Sequence, residues 1–196
     1  GHLSLHGGTL FLDTDLDLNN KTVFASGGTI KGNQHMFSLC QSVTALPTSH
    51  PLILENVALY LYHDLTISHT IVIRGDCSIY GGDNNINLEE NGALVVDHNA
   101  QLLLSSVELH GVKNYNLRCV NNSGSLILDH TRLVQTGDYT FTQGSILFRD
   151  DTQFVGPFIF DYDSLLTSTI DTDSSFYVAD LAKLSFGNQR GRSPLY

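Results

Sequence analysis

A chain of 196 residues with 41% hydrophobic content is long enough to fill one sizeable core. Its formal charge of −10, from 20 acidic against 10 basic residues, excludes the basic footprint that nucleic acid requires and disfavours an anionic membrane surface. Charged residues make up only 15% of the chain, and its polarity comes instead from Asn, Ser, Thr, Asp and Gly, which suit strands and turns better than long helices.

The first predicted element lies within "GGTLFLDTDLDLNN", residues 7–20. Asp13, Asp15 and Asp17 fall at alternate positions, as in a calcium loop. Such a loop needs a glycine at its sixth position and a glutamate at its twelfth; here Leu18 and Phe24 stand in those places. Leu10, Leu12, Leu16 and Leu18 share the other parity, so the segment reads as strand, with leucines turned inward and carboxylates turned to water. No cofactor is expected. A surface Ca2+ would need oxygens from neighbouring segments as well.

Further along, short apolar patches alternate with turn signals. The patches include Leu59-Tyr60-Leu61, Leu65-Thr66-Ile67, Leu102-Leu103-Leu104 and Phe176-Tyr177-Val178. Between them lie turns such as Gly81-Gly82-Asp83-Asn84-Asn85 and Asn121-Asn122-Ser123-Gly124. Pro47 and Pro51 bracket a loop. No long stretch shows helical periodicity, and no apolar run is long enough to span a membrane. No signal peptide is visible. Cys40, Cys77 and Cys119 have no zinc or redox spacing and read as buried free thiols.

One phrase recurs: a small residue, three apolar residues, then usually an acid. It appears as Thr9-Leu10-Phe11-Leu12-Asp13, Pro51-Leu52-Ile53-Leu54-Glu55, Ala93-Leu94-Val95-Val96-Asp97 and Ser125-Leu126-Ile127-Leu128-Asp129, with a looser copy at Ser145-Ile146-Leu147-Phe148-Arg149. A second phrase, apolar-x-Gly, recurs at Gly32, Gly75, Gly111 and Gly156 and marks corners where positive φ is wanted. Strands this short, repeated in phase, specify an all-β solenoid of about 20 residues per coil, stacked at about 4.8 Å. Nine or ten coils and a single column for Leu10, Leu52, Leu94 and Leu126 are expected. A single domain over residues 1–186 carries a polar, basic tail at 187–196.

The Leu-x-Leu strands, Asn/Gly corners and "IxG" phrases resemble the right-handed parallel β-helix of the pectin-lyase-like superfamily, over roughly residues 8–186. "GGTL" and "GGTI" resemble repeats of bacterial surface passengers and adhesins. The superfamily also holds polysaccharide lyases and hydrolases. For an enzyme of that kind the candidates are Asp150 and Asp151, with His110 about two coils earlier. The "NTD", "GHG" and "RIK" marks of the polygalacturonase type are absent, and Asp150-Asp151 falls where other copies of the phrase turn.

His98 and His130 follow Asp97 and Asp129 at the same place in the phrase, which predicts a stacked surface row. Arg74-Gly75-Asp76 is a tripeptide that integrins read, placed on a recurring corner. The middle residues of the main phrase, Phe11, Ile53, Val95, Ile127 and Leu147, would face outward and form an apolar assembly stripe. The reading is therefore a non-enzymatic structural or adhesive element outside the cell or at its surface, a fibre subunit or segment that self-associates end to end or laterally. It binds no nucleic acid and does not span a membrane. Its partners would be a glycan or a host-surface ligand. The alternatives are a carbohydrate-active enzyme and a carbohydrate-binding module using Tyr60, Tyr62 and Tyr80.

Overall fold

A computed structural model describes residues 2–18, 22–39, 43–45, 50–156, 159–162, 169–170, 175–178 and 183–186. The tail at 187–196 and Cys40 lie outside the described residues. Among the described residues the architecture is an all-β solenoid without helix, with about 23 residues per turn and eight strands stacked on its second face. Every strand pairing is parallel, and each turn lays one strand on each of three faces. One turn runs Thr70–Arg74, Asp76–Tyr80 and Asn85–Leu88; the next runs Ala93–Val96 and then Gln101–Val112, which bends across the second and third faces. The turns are longer than the phrase spacing predicts, because the corners hold more residues than the shortest steps allow.

The interior follows from the two-residue alternation of each strand. On the second face, Phe37, Leu59, Ile79, Leu104, Leu128 and Phe148 occupy one register position in successive turns. All six are buried. Leu65, Ile86, Leu109, Leu133 and Phe154 do the same on the third face. Ile30, Leu54, Ile73, Val96 and Cys119 form the equivalent row on the first.

The recurring phrase does not form one column. Leu52 and Leu94 share a row through Ile71, but Leu10 stacks on Ile30 and Leu54, two residues further along. Leu126 lies on the second face, between Leu102 and Ile146. The physical reason is that all three faces impose the same apolar alternation. The step from Leu94 to Leu126 is longer than one turn, since Leu94 already pairs with Leu117, so that copy lands on the next face. The assembly stripe divides in the same way. Ile53 and Val95 share an outward row with Val72 on the first face, whereas Ile127 and Leu147 follow Leu103 on the second. Phe11 sits in a neighbouring row with Lys31 and Glu55. Val95 and Ile127 are themselves buried.

Corners are stapled from one turn to the next by short polar side chains. Asp15 Oδ1 accepts the Met36 N–H at 2.8 Å, Asp64 Oδ1 the Asn85 N–H at 2.8 Å, and Asn114 Oδ1 the Thr140 N–H at 2.7 Å. The acid-rich first segment is not one strand: Thr9–Phe11 and Leu16–Leu18 lie on different faces, and Asp13 and Asp15 sit in the corner between them, so that only Asp17 is in a strand. All three acids are exposed, and Leu12 and Leu18 are buried. Asn56 Oδ1 likewise accepts the Asp76 N–H at 3.0 Å, beside Gly75. Gly75 has φ +60°, and a Cβ there would collide with the Asn56 amide; Gly82, at φ +54°, has open space around it. Gly75→Ala should thus lose both backbone comfort and the staple, roughly 3 kcal/mol, and Gly82→Ala only the backbone component, roughly 1 kcal/mol. Urea unfolding of the two variants checks the difference, and equal losses would remove the staple from the explanation.

Candidate functional site: a tyrosine strip and an adjoining polar groove

Outward positions stack as regularly as inward ones. On the second face one outward row runs Asp17, Ser38, Tyr60, Tyr80, Ser105, Asp129 and Arg149. Register alone thus brings Tyr60 onto Tyr80. Their rings stack with centroids 4.6 Å apart and planes inclined by 22°. Partial burial, reinforced by Tyr80, raises the Tyr60 hydroxyl above its usual range. Tyr62, on the corner that follows, is 57% exposed. All three tyrosines line a concave strip of about 640 Å³ with Asn84, Ser105 and Ser106. Asn84 fixes the edge of this strip, its Nδ2 donating to Leu61 O at 3.1 Å and Gly81 O at 2.7 Å. The tyrosines singled out from the sequence are therefore brought together, and the signal that finds them is the apolar-Tyr-apolar alternation of Leu59-Tyr60-Leu61 and Ile79-Tyr80-Gly81.

Beyond the corner lies a second concavity, about 250 Å³, lined by Asp83, Ser106, Glu108, His130, Arg132, Asp151 and Gln153, among others. Its wall is the corner itself. Ser106, His130 and Asp150 adopt left-handed φ of 52°, 49° and 44° in successive turns, which redirects the chain from the second face to the third. The backbone carbonyls of the turn below are satisfied by buried threonines. Thr131 Oγ1 donates to Leu104 O at 2.8 Å, and Thr152 Oγ1 to Leu128 O at 3.0 Å. Glu108 and Arg132 are register partners on the third face. Arg132 Nη1 lies 2.9 Å from Glu108 Oε2, and His110 Nε2 lies 2.9 Å from Glu108 Oε1.

Of the residues the sequence nominates for catalysis, Asp151 lines this groove, His110 reaches it only through Glu108, and Asp150 is an exposed corner residue outside the lining. Glu108 and Arg132 escaped sequence reasoning. Their common signal is an outward position in the "VELH" and "TRLV" segments, legible only once the register is known.

His98 and His130 do not stack. His98 lies on the turn between the first and second faces and His130 on the corner between the second and third, the same face-shift that displaces Leu126. Among the described residues, no three His, Cys, Asp or Glu side chains group to hold a metal ion. Cys77 and Cys119 are buried free thiols, and burial pushes the Cys119 thiol up to about 12. In Arg74-Gly75-Asp76 the guanidinium is engaged, with Nε 3.0 Å from Asp97 Oδ2. No helix of the described residues is long and apolar enough to cross a membrane. Comparison with protein-family models, curated proteins and solved structures returned no match.

Asp97 anchors the corner opposite the groove. The His98 ring and backbone N–H donate to its Oδ1 at 2.8 and 2.9 Å, and Arg74 Nε to its Oδ2 at 3.0 Å. These bonds, that of the His98 ring first, hold the carboxyl down at about 2. A carboxyl lowered in the folded state stabilises that state fully above its unfolded value of 3.8, and the contribution disappears as pH falls towards about 2. His98→Ala should raise the Asp97 carboxyl and move acid unfolding to higher pH. Carboxyl-carbon NMR with an acid titration by circular dichroism checks this, and an unmoved acid limb would contradict it.

Proposed function

We propose that this chain is a structural and adhesive β-solenoid of the right-handed, pectin-lyase-like kind, displayed outside the cell, whose second face binds carbohydrate. The observation that carries the reading is the tyrosine strip. Tyr60 and Tyr80, stacked in register, leave their outer ring faces and edges, and Tyr62 its exposed ring, as apolar surface against which the C–H faces of sugars pack, with hydroxyl and amide groups at the edge to take sugar hydroxyls. The usual right-handed preference of parallel strands joined by a crossover supports this part of the proposal.

Self-association belongs to the same proposal in a narrower form than one stripe. Its support is two short outward ladders of half-buried apolar residues, Ile53 and Val72 on the first face and Leu103 and Leu147 on the second, the ladder members Val95 and Ile127 being buried. The chain should then sediment as an oligomer, and Val72→Glu combined with Leu103→Glu should give a folded monomer. A wild-type monomer would remove this part of the proposal.

A second reading, a carbohydrate-active enzyme, draws on Glu108 and Asp151, two carboxylates in one groove, since paired carboxyls serve as general acid and base. Release of reducing ends from a bound polysaccharide, lost in Asp151→Asn, would favour it.

The adhesive reading is tested by presenting the whole chain to a glycan array and titrating the best ligand calorimetrically. Tyr60→Ala and Tyr80→Ala should each weaken binding by about tenfold, about 1.4 kcal/mol, with the fold intact. An array with no bound glycan would overturn the reading.

A further inference from the structure

We infer that the tyrosine strip and the polar groove form one continuous site, and that it selects an oligosaccharide of amino sugars with free, protonated amines. The inference rests on the carbohydrate reading above and adds to it the charge of the ligand.

Continuity is geometric. Ser106 lines both concavities. The turn that carries Asp83 on the groove side presents Gly82 and Asn84 to the strip. The groove then runs along the solenoid axis through the corners at Ser106 and His130 to Asp151. Turn spacing of about 4.8 Å puts Asp83 and Asp151 roughly 14 Å apart along the axis, a span for a short oligosaccharide rather than a single ring.

Charge then decides between sugars. The groove holds three carboxylates, on Asp83, Glu108 and Asp151, and one guanidinium, on Arg132. Arg132 is spent on Glu108, whose other oxygen faces His110. Asp83 and Asp151 are exposed and form no ion pair among the described residues. An acidic sugar would meet two unpaired carboxylates and a chain of formal charge −10. A neutral sugar would leave both carboxylates with water. An ammonium group gains a charge-assisted hydrogen bond from either and is drawn in by the field of the whole chain. The exposed Tyr62 ring adds attraction for the same cation.

The test uses the full chain, at neutral pH and low salt, with glucosamine oligomers and their N-acetylated counterparts of the same length and linkage as probes. The free-amine oligomer should bind at least tenfold more tightly, and the gap should shrink as salt rises. Asp83→Asn with Asp151→Asn, both surface changes whose folding circular dichroism verifies, should close the gap by weakening the free-amine oligomer more than its N-acetylated counterpart. Tyr60→Ala should weaken both. Equal binding of the two probes, or an undiminished gap in the Asn variant, overturns the amine selectivity. If the array binds neutral glycans while the free-amine oligomer fails, this inference falls and the carbohydrate reading stands. If no glycan of any kind binds, both fall.

Discussion

Parallel backbone pairing between successive turns is the constraint on which everything else in this molecule depends. Each interior strand gives its N–H and C=O groups to the turns before and after it, so a register position becomes an environment shared along the axis. Inward positions must then be apolar in every turn, which produces rows such as Phe37, Leu59, Ile79, Leu104, Leu128 and Phe148. Outward positions inherit the same order without the same chemistry. The row that holds Tyr60 and Tyr80 passes on to Ser105, Asp129 and Arg149, so a ligand moving along the face meets aromatic rings and then charge.

The corners absorb what the strands cannot. Register partners Leu52 and Ile71 are close in sequence, while Asp76 and Gln101 are further apart, and the difference is taken up entirely in the turns. Short polar side chains hold those turns by accepting an N–H from the next turn, as Asp15, Asn56, Asp64 and Asn114 do. The left-handed residues Ser106, His130 and Asp150 act differently. They bend the chain where no glycine is present, and the bend creates the concavity beside them. A strained corner and a binding groove are thus two aspects of one local geometry.

Much of this was legible in the sequence, and what was not had a physical cause. Two-residue alternation around Leu10, Leu12, Leu16 and Leu18 identifies β structure but hides the corner that divides it into two strands. Apolar-x-Gly identifies the corner at Gly75 but, at Gly111, a bulge inside a strand, both at positive φ. The solenoid class follows from these. Which face a phrase occupies does not, because all three faces demand the same alternation. That ambiguity displaced Leu126, split the stripe of Phe11, Ile53, Val95, Ile127 and Leu147 between faces, and separated His98 from His130. The tyrosines were found because aromatic rings stand out among serines and aspartates. Glu108 and Arg132 were not, since a half-buried Glu and an exposed Arg in separate segments carry no sign that register will pair them.

The register of the second face is therefore the claim to test, and cysteine cross-linking tests it most directly. Tyr60→Cys combined with Tyr80→Cys places two thiols at adjacent register positions, within the Cα separation a disulfide spans. Tyr60→Cys with Asp129→Cys places them in the same row but several turns apart. Mild oxidation followed by peptide mass mapping should show an intramolecular bridge in the first variant and none in the second. A bridge in the second, or its absence in the first, would contradict the stacking from which the tyrosine strip and its groove are built.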